Sequence, residues 1–548
     1  MNKKLISLGF ALLLIVVFVA RVHGQSPQGD GHENDYEITI TNDHKAVEIV
    51  KYKGKDKDVR IPAQMNNLPV TVIGDSAFKD KQLTSVILPN SVAAIGKIAF
   101  AKNRFASVTI PNSVTAIGIG AFAENRLTSV IIPNSVNSIG DFAFMKNQLT
   151  SVTIPNSVTV IGEGAFGENR LTSVTIPSSV TVLGDGAFAE NRLTSVTIPN
   201  SVTTIGIAVF IKNRLTSLTI PNSVTEIGDE AFAENRFTSV TIPNGVTAIG
   251  ERAFAGNRLT GVTIPNGVTA IGEGAFAGNR LTSVTMPNSV TSIGKAAFWD
   301  NQLTSVTIPN TVTVIEEGTF AKNQLASVTI ANNVTAIGNS AFEDNQLTSV
   351  TIPDGVKSLG NRAFGKNKLT NATIPKSVTV IGNAAFARNQ LTSVSILNNG
   401  TMIGQGAFAF NQLTSVAIPT GVTAIEDLAY YENQLISVSI PNGVTAIGKW
   451  AFKKNKLNHV TIPDSVSTIG DGAFTENRLT SVTIPDSVTA IGEKAFDKNQ
   501  LVSISIGANV ELGKGSATAF DDGFDTFYRE HGRKKGTYVY NNGNWSIP

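Results

Sequence analysis

From Leu83 to Leu501 the chain repeats itself every 22 residues without insertion or deletion. Repeats begin at Leu83, Phe105, Leu127, Leu149, Leu171, Leu193 and onward in the same step, twenty starts in unbroken register. Such self-similarity restricts the chain to a stack of like units, each needing its neighbours to bury an apolar face. It also overrides the usual length argument, under which 548 residues would suggest several globular domains.

Residues 171–192, LTSVTIPSSVTVLGDGAFAENR, serve as the reference coil. Val174 and Ile176 alternate with Ser173 and Thr175, the period-two pattern of a half-buried main strand. Pro177 ends that strand, because it has no amide hydrogen for a ladder and its φ is fixed. Val180 and Leu183 return to the interior from a second short strand. Gly184 is expected to turn at positive φ, which would make Glu316 and Glu426, at the equivalent place, costly. Ala187 and Phe188 open a short helical or 3-10 turn, with Phe188 as the largest core side chain. Asn191 recurs nineteen times, from Asn103 to Asn499. A buried carboxamide must satisfy two donors and two acceptor lone pairs, so stacked asparagines are expected to bond the turns above and below them, the ladder of leucine-rich-repeat architecture. The fold class is therefore a β-rich solenoid: a right-handed leucine-rich-repeat superhelix of 22-residue coils. Each coil carries a main strand, a second short strand and a short helical or 3-10 turn. At the inter-strand spacing of sheets, twenty coils extend roughly 95 Å.

The flanks are different in kind. Lys3 and Lys4, an apolar run from Leu5 to Ala20, and Val22-His23-Gly24 before Gln25 read as an export signal. An uncleaved anchor is the competing reading, since the run approaches the ~20 residues that span a bilayer; the short run and its flanks favour cleavage. The expected division is 1–24 signal peptide, 25–60 N-terminal cap with β structure, 61–506 solenoid and 507–548 C-terminal cap. The charged segments 51–58 and 529–535 read as parts of polar caps over the open ends of the stack. With no cysteine in the chain, disulfides are excluded and packing alone must supply stability.

The string I-P-x-x-V-T-x-I-G-x-x-A-F, present as Ile176-Pro177 through Ala187-Phe188 and in nearly every other coil, resembles the repeat of the BspA-like leucine-rich-repeat proteins, a bacterial surface family. Tyr36-Glu-Ile-Thr-Ile40, Val59-Arg-Ile-Pro62 and Leu68-Pro-Val-Thr-Val-Ile-Gly74 look like that family's longer opening repeat. The tail with Gly536-Thr-Tyr-Val-Tyr540 and Trp545 is similar to its closing segments. The chain departs from many relatives in carrying Asn rather than Cys after the Ala-Phe pair, with one residue fewer. The resemblance implies an extracellular attachment role toward host matrix proteins, other cells or glycans.

The residues themselves offer little chemistry. Charged residues make up 16% of the chain, and removal of Lys3, Lys4 and Arg21 takes the formal charge from +2 to about −1. No global field draws the protein to nucleic acid. His32, His44, His459 and His531 stand apart without a second ligand at metal spacing, and no nucleophile–base pair or phosphate-cradling loop is present. Neither an enzyme nor a cofactor or metal site is expected. Three surface features remain. Ser173 and Thr175 align with equivalents in neighbouring coils as two hydroxyl columns, similar to the arrays of ice-binding solenoids, although Thr simply suits an exposed strand. Arg170, Arg192, Arg214, Arg236, Arg258 and Arg280 form a like-charge column. Glu168, Glu190 and Glu234 are expected to relieve part of it, while Arg258 and Arg280 face glycines and make a candidate stripe for anionic glycans. Finally, the coils between Leu397 and Trp450 lose a Pro, a turn Gly and the Ala-Phe pair, and place Phe410, Tyr431 and Trp450 at normally polar outer positions. Grouped exposed aromatics are the material of interface hot spots, and these residues are the leading ligand-binding candidates. The sequence thus suggests a secreted or cell-surface adhesin that presents its repeats to protein or glycan ligands, with no membrane span once the signal is removed. The alternative is a self-associating spacer of an extracellular matrix or surface layer.

Overall fold

The computed structural model describes residues 33–513, 518–521 and 523–548; the segment 1–24, read as an export signal, lies outside them. About 21 coils of about 22 residues stack into a β-solenoid with little helix. In the reference coil the strand Ser173–Thr175 pairs in parallel with Ser195–Thr197 of the next coil, and Val174 faces inward between two exposed hydroxyl residues. The second strand, Val182–Leu183, pairs with Val160 and Ile161 of the coil before.

These two ladders are unequal, in the reverse of the expected order. The second strands join into one nine-stranded and three five-stranded sheets, whereas most main strands assemble only in pairs. Elsewhere single bridges such as Thr109 to Ile131 continue the main stretch. Proline supplies a reason: Pro177 and its equivalents remove a donor directly after the main strand. The second stretch has no such gap and ends on a glycine that lets neighbouring backbones close, with Gly184 N donating to Ile161 O at 2.8 Å.

A third ladder runs through the stretch expected as a short helical or 3-10 turn, which folds as non-helical turns. Among the described residues the helical segments are Glu33–Asp35 and Phe524–Glu530, both outside the repeats. Within the coil, Ala187 N donates to Gly184 O at 3.1 Å and Ala189 N to Gly186 O at 2.9 Å. The N–H groups of Gly186, Phe188 and Glu190 instead leave the coil, reaching the carbonyls of Ile207, Val209 and Ile211 in the next one at 2.8, 3.0 and 2.9 Å. Left-handed residues alternating with right-handed ones aim N–H groups the same way, and Gly186 and Glu190 supply them with φ of 61° and 53°. The same two columns are left-handed along the whole stack, whatever residue occupies them.

Gly184 itself is not in the left-handed region. A Cβ there would stand 2.4 Å from Glu163 N and 2.5 Å from Gly162 C, so glycine prevails in the column because adjacent backbones touch. Glu316 and Glu426 also lack positive φ, and the left-handed penalty expected of them does not arise.

The interior is one continuous core. From Tyr52 to Phe520 one ring per coil stacks on the next, with centroids 4.9–5.9 Å apart. Beside each ring lies the asparagine. Asn191 Nδ2 donates to Phe188 O at 3.2 Å and to Phe166 O at 2.9 Å, and its Oδ1 accepts from Leu171 N at 3.0 Å. The ladder is real but one-sided: its bonds run to the asparagine's own turn and the turn before it, not to both neighbours.

Both ends are closed by added structure. The strands Tyr36–Ile40 and Val47–Tyr52 pair antiparallel at the start, where Tyr52 N donates to Ala77 O at 2.8 Å. At the far end the outgoing N–H groups of Lys494 and Phe496 meet the carbonyls of Thr518 and Ala519 at 2.6 and 2.9 Å. The helix Phe524–Glu530 and the hairpin Gly536–Asn541 and Asn544–Ser546 cover the last coil. Buried Asp525 accepts from Ala519 N and Phe520 N at 2.7 and 3.0 Å, and its burial pushes the carboxyl above the usual range.

Two outcomes follow for stability. Asn279→Ala strands Leu259 N–H and the Phe254 and Phe276 carbonyls and should lower unfolding free energy by about 3 kcal/mol in a urea titration. Gly184→Ala should cost about 1–3 kcal/mol through overpacking. Gly186→Ala, whose Cβ would meet only the Ala189 Cβ at 3.8 Å, should cost about 1 kcal/mol from its left-handed φ. The reverse order of the two would show that crowding is not what selects glycine in the first column.

Candidate binding surface

Because Leu, Val, Ile, Phe and Asn are consumed by the core, any recognition must use the columns that vary. The most variable face is that of the third ladder, lined by the columns of Asp185, Gly186, Ala189 and Glu190. All three aromatics singled out in the sequence lie on it. Phe410 occupies a left-handed site at φ 58° and meets Tyr431 edge to face, with centroids 5.1 Å apart and planes at 88°. Both are half-buried. Trp450, at φ 56° and 38% exposed, lies against the next coil, where a Cβ on Gly472 would stand 2.4 Å from its Cδ1. Cations bracket all three: the Arg388 guanidinium stands 4.6 Å from the Phe410 ring and Lys449 Nζ 4.6 Å from Trp450, while Lys454 Nζ stands 5.7 Å from Tyr431. Glu432, 2.5 Å from Lys454 Nζ, raises that ammonium above its ordinary value, with Tyr431 adding to the effect.

Arg258 and Arg280 belong to a different column, exposed and one coil apart. The structure does not bring them to the aromatics. Nor do the glutamates answer the arginine column as expected: Glu168 pairs with Lys146 at 3.6 Å and Glu190 with Lys212 at 2.8 Å, both along the Glu190 column itself. Side chains of one column lie one coil spacing apart, so a charge finds its partner above or below before it finds one across the turn.

What the sequence reading missed is a furrow beside Phe410. It has a volume of about 730 Å³ and runs over the turn face from the Asn339 coil to Leu428. Its floor is made of small residues, among them Gly365, Ala384, Ala387, Gly406 and Ala409. One wall is a column of carboxamides: Asn339, Asn361, Asn383 and Gln405. Asn339 Oδ1 accepts from Asn361 N at 2.8 Å, Asn361 Oδ1 from Asn383 N at 2.7 Å, and Asn383 Oδ1 from Gln405 N at 2.9 Å. Aspartates do the same in other coils, as Asp141 does for Glu163 N at 2.9 Å and Asp185 for Ile207 N at 2.7 Å. Asparagine preserves the backbone bond while exchanging a negative oxygen for an amide donor. A second hollow of about 640 Å³, which includes Trp299 and Lys322, shares Ser340, Glu343, Arg362 and Lys366 with the first. The two form one furrow between Trp299 and Phe410. Its sequence signal was the change of one column from Asp to Asn.

The sequence profile of the "BspA type Leucine rich repeat region" matches residues 71–193, 181–303, 291–412 and 401–521. The chain belongs to the BspA-type leucine-rich-repeat family. Solved structures similar to it include a leucine-rich cell surface protein from Faecalibacterium prausnitzii, 27% identical, covering 68% of this chain and 96% of that one with a TM-score of 0.35. A leucine-rich repeat protein from Bacteroides ovatus is 21% identical over 87% and 92% of the two chains, with a TM-score of 0.31. YopM from Yersinia enterocolitica is 15% identical over 85% and 88%, with a TM-score of 0.41. No curated protein matches the chain. Among the described residues no group of three metal-ligating side chains is brought together, and no helix is long and apolar enough to cross a membrane.

The aromatic cluster coincides with the least regular BspA-type coils. In coil 391–412 Gly400 stands where neighbouring coils bury Val378 and Val422, and Thr401 turns inward instead, its Oγ1 donating to Val378 O at 2.9 Å. The next coil replaces the core Phe with Tyr430, whose ring keeps the stack at 5.9 Å from Phe408. Its hydroxyl is fully buried without a hydrogen-bond partner, and burial pushes the phenol pKa up. The void beside it, lined by Ile403, Ile418 and Val422, has no room for a water molecule. Tyr430→Phe should therefore stabilise the protein by about 1 kcal/mol, read as a higher urea midpoint; a loss of stability would mean that the hydroxyl is satisfied.

Proposed function

We propose that this chain is a secreted or cell-surface binding protein, an adhesin whose turn face holds extracellular protein or glycan ligands. The observation that carries this reading is the gathering of Trp299, Phe410, Tyr431 and Trp450 on one face of the solenoid, beside a furrow and bracketed by cations. Aromatic side chains serve folding only inside the coil, where the ring stack already uses one per turn. On the outer columns they add nothing to the stack, and two of them, Phe410 and Trp450, sit at left-handed φ, where a bulky residue is disfavoured. Aromatics and arginine together are the usual anchors of protein interfaces. A family built on coil repetition and an N-terminal sequence of export-signal type accord with work outside the cell.

The test is an array of matrix proteins and glycans probed with the full chain. A saturable ligand should lose about tenfold or more in affinity on simultaneous Phe410→Ser, Tyr431→Ser and Trp450→Ser, with cooperative unfolding retained as proof of folding. Unchanged binding would remove these residues from the site. Self-association with no heterologous ligand would instead make the protein a matrix or surface-layer spacer.

A further inference from the structure

Between Asp354 and Glu426 the sequence contains no acidic residue at all, yet it carries Lys357, Arg362, Lys366, Lys368, Lys376 and Arg388. Elsewhere in the array charges of both signs alternate along the columns, as in the Lys146–Glu168 and Lys212–Glu190 pairs. Beyond this stretch the Trp299 hollow is lined by Glu273, Glu317 and Asp344 as well as Lys295 and Lys322, whereas the acid-free stretch, with six cations, builds the hollow beside Phe410. Of the four charged side chains lining it, three are cationic. Lys366 pairs with Glu343 at 3.1 Å, and Glu343 is further held by the Ser340 hydroxyl at 2.8 Å. Among the described residues Arg362 and Arg388 form no ion pair, and Arg388 lies against the Phe410 ring with no carboxylate beside it. The wall facing them has exchanged its aspartates for amides over the same coils. The loss of negative charge is thus seen twice, in the cations that lack partners and in the carboxylates that are missing.

We infer that this furrow binds an acidic oligosaccharide, one bearing carboxylate or sulfate groups, laid along the solenoid axis. The inference rests on the adhesin reading above and names its ligand class. Carboxamides both donate to and accept from hydroxyl groups, and a column of four suits a chain of repeated polyols. Arginine meets carboxylate and sulfate oxygens with paired donors. The four amides, from Asn339 to Gln405, span three coil steps, with Phe410 and the Arg388 guanidinium that covers its ring at the far end. That distance is roughly 14 Å at the inter-strand spacing. The repeat also selects against an acidic peptide. An extended peptide advances about 3.3 Å per residue against about 4.8 Å per coil, so its side chains fall out of step with the columns. A pyranose unit is close to one coil spacing and keeps step. Arg258 and Arg280, the earlier candidates for an anionic glycan, line neither hollow.

The experiment titrates the full chain with uronic-acid oligomers from dimer to octamer, with sulfated oligosaccharides, with neutral oligomers of the same linkage and with a polyglutamate peptide. Acidic oligomers should bind more tightly with length until about four units fill the hollow, one per amide, and should weaken as salt is raised. Uronic against sulfated oligomers decides which acid is read. Asn361→Asp with Asn383→Asp should weaken binding about tenfold or more without moving the unfolding midpoint, because aspartate keeps the backbone bond in other coils. Arg388→Gln should act similarly and flatten the salt dependence. Binding that ignores these variants, or that neutral oligomers or polyglutamate match, overturns the inference. If the array yields a protein ligand sensitive to the aromatic triple variant while no acidic oligosaccharide binds, the adhesin reading stands and this one falls. With no heterologous ligand of any kind, both fall.

Discussion

The architecture depends on one buried carboxamide per coil. Each asparagine ties its own turn to the turn before it, by donating to two carbonyls of the ring column, nearly all phenylalanine, and accepting from the N–H of the leucine or phenylalanine that opens its coil. Without it, three backbone groups per coil would lie in an apolar interior with no partner, where each costs far more than a hydrogen bond adds. The ring stack supplies the apolar area and the asparagine makes that area compatible with a backbone that must pass through it. Every other regularity, including the constant length of 22 residues, keeps this amide in register.

Once that constraint is met, the coil divides into columns with unequal freedom. The glycine column beside the second strand is closed to other side chains by backbone contact, except where Glu316 and Glu426 stand. The two left-handed columns of the third ladder accept Gly, Ala, Lys, Glu, Arg, Phe and Trp alike. Each non-glycine residue there bears some conformational cost, but the neighbouring ladder bonds hold the backbone regardless. The stack can therefore place bulky or charged groups on its turn face without altering its path, and the furrow, the aromatics and the unpaired arginines all lie there.

Much of this was legible in the sequence. A strict period and an invariant asparagine are sufficient to name the solenoid, its core residues and its ladder. What escaped was decided between coils rather than within them. A conserved-looking Gly184 suggests positive φ, because glycine's freedom is the common reason for it; contact with Glu163, a full turn away, leaves no mark in local sequence. The stretch at Ala187 and Phe188, expected as a short helical or 3-10 turn, is a turn of another kind for the same reason, since N–H groups there answer carbonyls of the next coil. The pairing of Glu190 with Lys212 rather than Arg192 follows from column geometry. Of the candidate surface, Phe410, Tyr431 and Trp450 were visible as irregularities. The furrow was visible only if the columns were read downward, as the replacement of Asp by Asn and the disappearance of acids.

The one-way course of the third ladder gives the rod a sense of direction. Its N–H groups point toward the C-terminal end and its carbonyls toward the other, coil after coil, so the axis has a head and a tail. A chain lying in the furrow meets a lattice without reversal symmetry, with Phe410 at its forward end. An oligosaccharide has its own direction, from non-reducing to reducing end. Its two ways of lying down present different atoms to the same amides and so differ in energy, and the solenoid would favour one direction for every copy of its ligand.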